Sequence, residues 1–109
     1  MVPLKEVGEA KATVGARVGH LLRITGYLEI AIIFMWIHNP RTLQTMGMVE
    51  ASLRGEGPDG QDEVLLERLR ALVEEARDYY AGDDFPAAMA RMRVAQDLVD
   101  LRIVAIGGE

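Results

Sequence analysis

The residues best suited to chemistry in this chain are its clustered acids. Asp78, Asp83 and Asp84 stand close together around Gly82. Carboxylates gathered at one turn could hold a hard cation, because calcium and magnesium take oxygen ligands. The alternating ligands and closing Glu of a calcium loop are missing. An Asp placed just before a helix accepts backbone N–H bonds and favours the helix dipole. Asp83 and Asp84 are therefore read as helix caps. A second group lies on the strip Arg91, Arg93, Gln96, Asp97, Asp100 and Arg102. Asp97 and Asp100, three apart on a helix, could do acid–base work. Pairing of Arg93 with Asp97 and of Gln96 with Asp100 at four-residue spacing accounts for the same strip as a solvated face. Asp100, flanked by Val99 and Leu101, is expected to form a buried polar pair with Tyr80, fixing the register of two helices.

The remaining polar candidates are sparse. His20 and His38 are too far apart for a helical metal pair, and His38 beside Asn39 reads as a helix-end residue. His20 reads as an outer-flank residue without a partner. Cysteine is absent, which excludes disulfides, thiolate metal sites and cysteine nucleophiles. Arg41, Arg54, Arg91 and Arg93 would grip phosphate or RNA if they converged. Against this, 12 basic residues face 17 acidic ones, for a net charge of −5. DNA binding is not expected, and RNA or nucleoprotein association is an alternative. The segment Gly55–Gly60 contains Pro58 and lacks the Lys-Ser/Thr of a phosphate loop. No catalytic, cofactor-binding or metal-ligating residue is assigned, and no cofactor is expected.

The elements that would position these residues are helices. The chain has 109 residues, half of them hydrophobic but only 6% aromatic. That gives one domain with an aliphatic core, and the Leu, Ala, Glu and Arg content favours helix. Pro3 suits a first helical turn. Leu4, Val7, Ala10, Val14, Val18 and Leu21 continue as a narrow seam, weakened by Gly8, Gly15 and Gly19. Gly26 is expected to break or kink that helix. The run Tyr27–His38 is apolar on all sides, so periodicity does not separate helix from strand; without a second strand to pair with, it is read as helix. Asn39 is expected to cap the next helix, Arg41–Leu53, with Leu43, Met46, Val49 (or Ala51) and Leu53 inward. Residues 55–60 form a loop between an N-terminal arm (1–54) and a C-terminal hairpin (61–107).

That hairpin carries the strongest signal. Leu65, Leu69, Leu72, Ala76 and Tyr79 or Tyr80 make one apolar stripe. Phe85, Ala88 or Met89, Met92, Ala95, Val99, Ile103 and Ile106 make another. Gly82 is expected to stop the first helix in the left-handed conformation, so the two helices lie antiparallel. The fold class is all-α, a small bundle of about four helices ending in an antiparallel helical hairpin.

Within Ala76–Gly107, the residues Tyr79-Tyr80, Gly82, Asp84-Phe85, Ala88-Met89-Ala90, Met92, Ala95, Leu98 and Asp100 follow a family pattern. This stretch resembles domain of unknown function 357, a family of short archaeal helical proteins. The family's helix aromatics stand here as Val94 and Leu98, and its helix glycines as Asp97 and Arg102. The resemblance implies a thermophilic archaeal source and a helical hairpin, and it implies no activity.

Function is expected to be non-catalytic. Four short helices barely cover a helix that is apolar all round, so the excess face would meet another subunit. The candidate oligomer interface is Ile30, Ile33, Phe34, Trp36 and Ile37. The chain reads as a cytoplasmic assembly or adaptor module, a homo-oligomer or a binder of a protein partner. A carboxylate-based enzyme or metal protein is a further alternative. No membrane span is expected, because the uncharged core Ile30–Ile37 falls short of the ~20 apolar residues required.

Overall fold

The computed structural model describes residues 4–55 and 57–108, with side chains from Val14 onward except that of Asp59. The expected helix start at Pro3, and the side chains of Leu4, Val7 and Ala10, lie outside the described residues. Four helices follow one another: α1 (Leu4–Trp36), α2 (Thr42–Ser52), α3 (Glu63–Ala81) and α4 (Phe85–Gly107), with one short 3-10 turn at Pro58–Gly60. No strand occurs among the described residues. Each helix packs on its chain neighbours, and α1 also packs on α4. The result is an up-down-up-down ring, elongated to 60 × 21 × 20 Å.

The core is aliphatic, as composition demands. Leu21, Ile24, Leu28, Ala31 and Met35 come from α1, and Met46 and Val49 from α2. Leu66, Leu69, Val73 and Ala76 of α3 meet Ala88, Met92, Ala95 and Val99 of α4. Both hairpin stripes occupy the expected positions, with Tyr80, Phe85 and Ile103 half-buried at the margin. On α2 the inward set differs from expectation. Leu43 is 42% exposed, while Thr42 and Thr45 are buried. Their hydroxyls donate to Asn39 O (2.7 Å) and Thr42 O (2.7 Å), which removes the cost of burying them.

Gly26 does not break α1, which runs unbroken for 33 residues. Three or more neighbouring elements hold the helix, and the propensity loss of about 1 kcal/mol per glycine is outweighed by packing. Continuity makes one stretch, Val14–Trp36, long and apolar enough to cross a membrane by length and composition. One side of it is nevertheless packed in the bundle, and Arg17 within it is buried.

α1 and α3 end alike. Asn39 N donates to Phe34 O (2.8 Å) and His38 N to Met35 O (3.1 Å). Asp84 N donates to Tyr79 O (2.8 Å) and Asp83 N to Tyr80 O (3.1 Å). This paired pattern is the Schellman motif, with His38 and Asp83 in the left-handed position normally taken by glycine. Their φ values are 52° and 62°. Gly82, expected to be left-handed, has φ −89°; the helix runs one residue further before reversing.

α2 has only 11 residues, so it covers only part of α1. The rest of that side is closed by a strap, residues 53–55 and 57–62. Arg70 anchors this strap, donating to Leu53 O (2.7 Å), Gly55 O (2.7 Å) and Glu63 (2.8 Å). Gly57 lies against α1, where a Cβ would stand 3.1 Å from Leu66 Cδ1 and 3.3 Å from His20 Cε1. The loop is thus a packed part of one bundle.

Gly47 and Gly60 separate two effects of glycine. A Cβ at Gly47, mid-helix, would meet nothing within 4 Å, whereas Gly60 has φ +64°. Gly47→Ala should stabilise the protein by about 1 kcal/mol, and Gly60→Ala should destabilise it by about as much. Thermal unfolding followed by circular dichroism checks both, with opposite shifts in Tm.

Candidate functional site

Three places gather side chains that could serve a function. The first is the ion pair at the strap. Asp62 precedes α3 and is 1% exposed. Its carboxylate accepts from Arg17 Nε (3.1 Å) and Nη2 (3.0 Å), and Arg102 Nη1 lies 3.8 Å away. The backbone of Asp62 begins α3, with Leu66 N donating to its carbonyl (2.9 Å). Its side chain caps nothing in that helix and is engaged by Arg17 instead. One turn along α1, His20 presses on Gly57 and its Nδ1 is buried, with no hydrogen-bond partner among the described residues. His20 was expected on the outer flank; the strap folds over it. Two arginines on one carboxylate fix three elements, α1, α3 and α4, at one point. The fork geometry of the Arg17 pair suits positioning.

The second place is the end of the bundle where the two left-handed turns meet. His38, Tyr80, Asp83 and Phe85 line a cleft of about 250 Å³. The His38 and Phe85 rings are 4.9 Å apart. Asp84 is the true cap of α4, accepting from Ala87 N at 3.2 Å. Asp83 is not a cap: it occupies the reversing position, one residue too early. Asn39 accepts from Arg41 N at 2.8 Å, closing the turn before α2 rather than capping its first residue, Thr42.

Several expected pairings do not form. Asp100 is exposed and bonds to Thr25 Oγ1 (3.4 Å) in place of Tyr80. The reason is distance: Tyr80 is at the elbow, and Asp100 is about 22 Å along α4 from Phe85 by helical rise. Gln96 reaches Glu29 on α1 (3.4 Å). The four arginines do not converge. Arg41 precedes α2 and Arg54 follows it, while Arg91 stacks over the Tyr79 ring (4.6 Å) beside Glu75 (3.6 Å). Among the described residues, no group of three or more His, Asp or Glu is placed to hold a metal ion.

The third place is the outer face of α1. At about 100° per residue, Gly15, Gly19, Leu22, Gly26, Ile30, Ile33 and Ile37 fall within about 40° of one line, opposite the buried line through Leu21, Ile24, Leu28 and Met35. Ile37 still donates to Ile33 O (3.0 Å), so the line continues past Trp36. Leu22 is 54% exposed, Ile33 56%, Ile37 58% and Trp36, on the flank, 62%. Of the five expected interface residues, Ile30, Ile33, Trp36 and Ile37 are exposed, and Phe34 is half-buried. A Cβ at Gly15, Gly19 or Gly26 would meet nothing within 4 Å. α4 exposes a thinner apolar set, Val94, Leu101 and Val104, interrupted by Arg93, Asp97 and Asp100.

Comparison with family models, with curated proteins and with solved structures finds no match to this chain. The geometry alone therefore ranks the three places. The ion pair is a structural pin. The turn cleft offers His38, Tyr80 and Asp83 at a surface notch. Only the face of α1 combines large exposed apolar area with continuity along a rigid element.

The pin makes a stability prediction. Asp62→Ala strips the buried Arg17 of its two-pronged partner and should cost about 3 kcal/mol or more. The double change Arg17→Met with Asp62→Leu should recover most of that loss, because a well-packed apolar pair can replace a buried ion pair. Urea unfolding of the three proteins checks the order.

Proposed function

We propose that this protein is a non-catalytic assembly module that self-associates through the apolar outer face of α1. The observation that carries the reading is the exposure of Ile30, Ile33, Trp36 and Ile37 together on one side of one helix. Scattered single apolar residues on a surface need no explanation, but a contiguous patch does. Burial of an exposed Ile or Trp side chain yields about 1.5–3 kcal/mol, so a few of them supply a useful association energy after its entropic cost. The chemistry available elsewhere supports the same reading. Asp84, Asp62 and Asp100 are engaged as a cap, in the pin and in a link to Thr25, and the arginines are separated.

Sedimentation equilibrium at micromolar to tens of micromolar concentration tests the reading. The unaltered protein should be a dimer or larger. Ile33→Asp and Trp36→Asp should each weaken association at least tenfold, about 1.4 kcal/mol, while the helical circular dichroism spectrum is unchanged. A protein that remains monomeric at these concentrations would overturn it.

A further inference from the structure

We infer that the face of α1 is covered by a second copy of the chain in an antiparallel, two-fold arrangement whose axis passes beside Gly26. This rests on the self-association reading and specifies its geometry. Three glycines of α1 are not needed by the single chain. Gly15, Gly19 and Gly26 lie inside α1, each costing about 1 kcal/mol relative to Ala. A Cβ at any of them would meet no atom within 4 Å, so nothing inside the bundle requires their smallness. Their common feature is that they share one line with Leu22, Ile30, Ile33 and Ile37.

The order of residues on that line is self-complementary. Small positions occupy its first part and large ones its last part, with Gly26 between. An antiparallel pairing centred on Gly26 sets Gly19 against Ile33 of the partner subunit and Gly15 against Ile37 of the partner subunit. Leu22 then meets Ile30 of the partner subunit, and Gly26 meets its own copy. Ile33 and Ile37 each face a residue without a side chain, while Ile30 packs on Leu22 beside the centre. That allows the helix axes to approach to the short end of the usual ~8–10 Å range. A parallel pairing would instead crowd isoleucine on isoleucine at one end and leave glycine facing glycine at the other. The antiparallel form is isologous, so it closes as a dimer and leaves no free copy of the face.

The size is adequate. The line from Gly15 to Ile37 is roughly 33 Å long by helical rise. Its exposed apolar side chains, with Trp36 on the flank, present on the order of 500 Å² per copy, within the range of the largest patches on monomers, which are often functional. The flanking stems of Arg23 and Glu29 bring the face towards the roughly 800 Å² per partner of a standard interface.

The absence of cysteine makes the register directly measurable. Gly26→Cys, Gly19→Cys and Ile33→Cys are each prepared, and disulfide formation is read on non-reducing gels with one variant size-tagged. Sedimentation of the reduced proteins and circular dichroism run alongside. Gly26→Cys alone should link into a dimer. Gly19→Cys and Ile33→Cys should each remain mostly unlinked alone and should link, at least tenfold faster, when mixed. Efficient linking of Gly19→Cys or Ile33→Cys alone would show parallel pairing and overturn the inference. A dimer by sedimentation that links in none of these combinations would place the contact on another face, overturning this geometry and leaving self-association standing. A monomer would overturn both. Co-sedimentation of the monomer with phosphatidylcholine–phosphatidylglycerol vesicles would assign the face to lipid and also overturn both.

Discussion

The bundle depends on one buried charge contact. Asp62 is at the exact point where the strap becomes α3, and its carboxylate is held from α1 by both arms of Arg17. The two residues are distant in sequence, so the contact commits the N-terminal helix and the hairpin to one relative placement. Such a pair adds little net stability over an apolar alternative, because desolvation consumes much of the Coulomb gain. Its value is specificity: sliding α1 along the hairpin by one turn would leave a carboxylate and a guanidinium buried apart. The aliphatic core, with Leu21, Ile24, Leu66 and Met92 among its members, could tolerate other registers far more easily.

The hairpin was legible in the sequence because its information is local. Apolar spacing placed Leu65, Leu69, Leu72 and Ala76 on one face and Met92, Ala95 and Val99 on another, and short elbows leave only an antiparallel answer. The helix caps were half legible: Asp84 is a cap, whereas Asp83 is the left-handed residue, a distinction of one position that depends on where α3 unwinds. The ion pair is the least legible contact in the sequence. Asp62 looks like any residue before a helix, and Arg17 looks like any exposed cation. A signal existed, since Arg17 continues the inward line of Leu21, Ile24 and Leu28 back by one turn, and a charge on that line calls for a partner. The Tyr80–Asp100 pair is ruled out by helical rise alone, since Asp100 lies about 22 Å along α4 from the elbow.

The face of α1 was legible as a surplus and not as a pattern. Counting apolar residues shows that Tyr27–His38 exceeds what a small bundle covers. Which residues remain outside depends on the rotation of α1 about its axis, set by α2, α4 and the strap together. Once that rotation is known, the glycines earlier in α1 and the isoleucines later in it prove to share one line. Glycines that look like weaknesses of a helix and isoleucines that look like core become two parts of a single surface.

The shortness of α2 has a consequence for how the molecule opens. Near the α1–α2 turn, closure is by interdigitated side chains of four helices, and such contacts are lost gradually, one layer at a time. At the strap end, closure is by a single chain segment fastened through Gly57, Arg70 and Asp62. Its hold rests on a few directional bonds to charged groups in place of many apolar contacts. The two halves of one rod are therefore closed by different means, one by the packing of four helices and the other by a fastened strap.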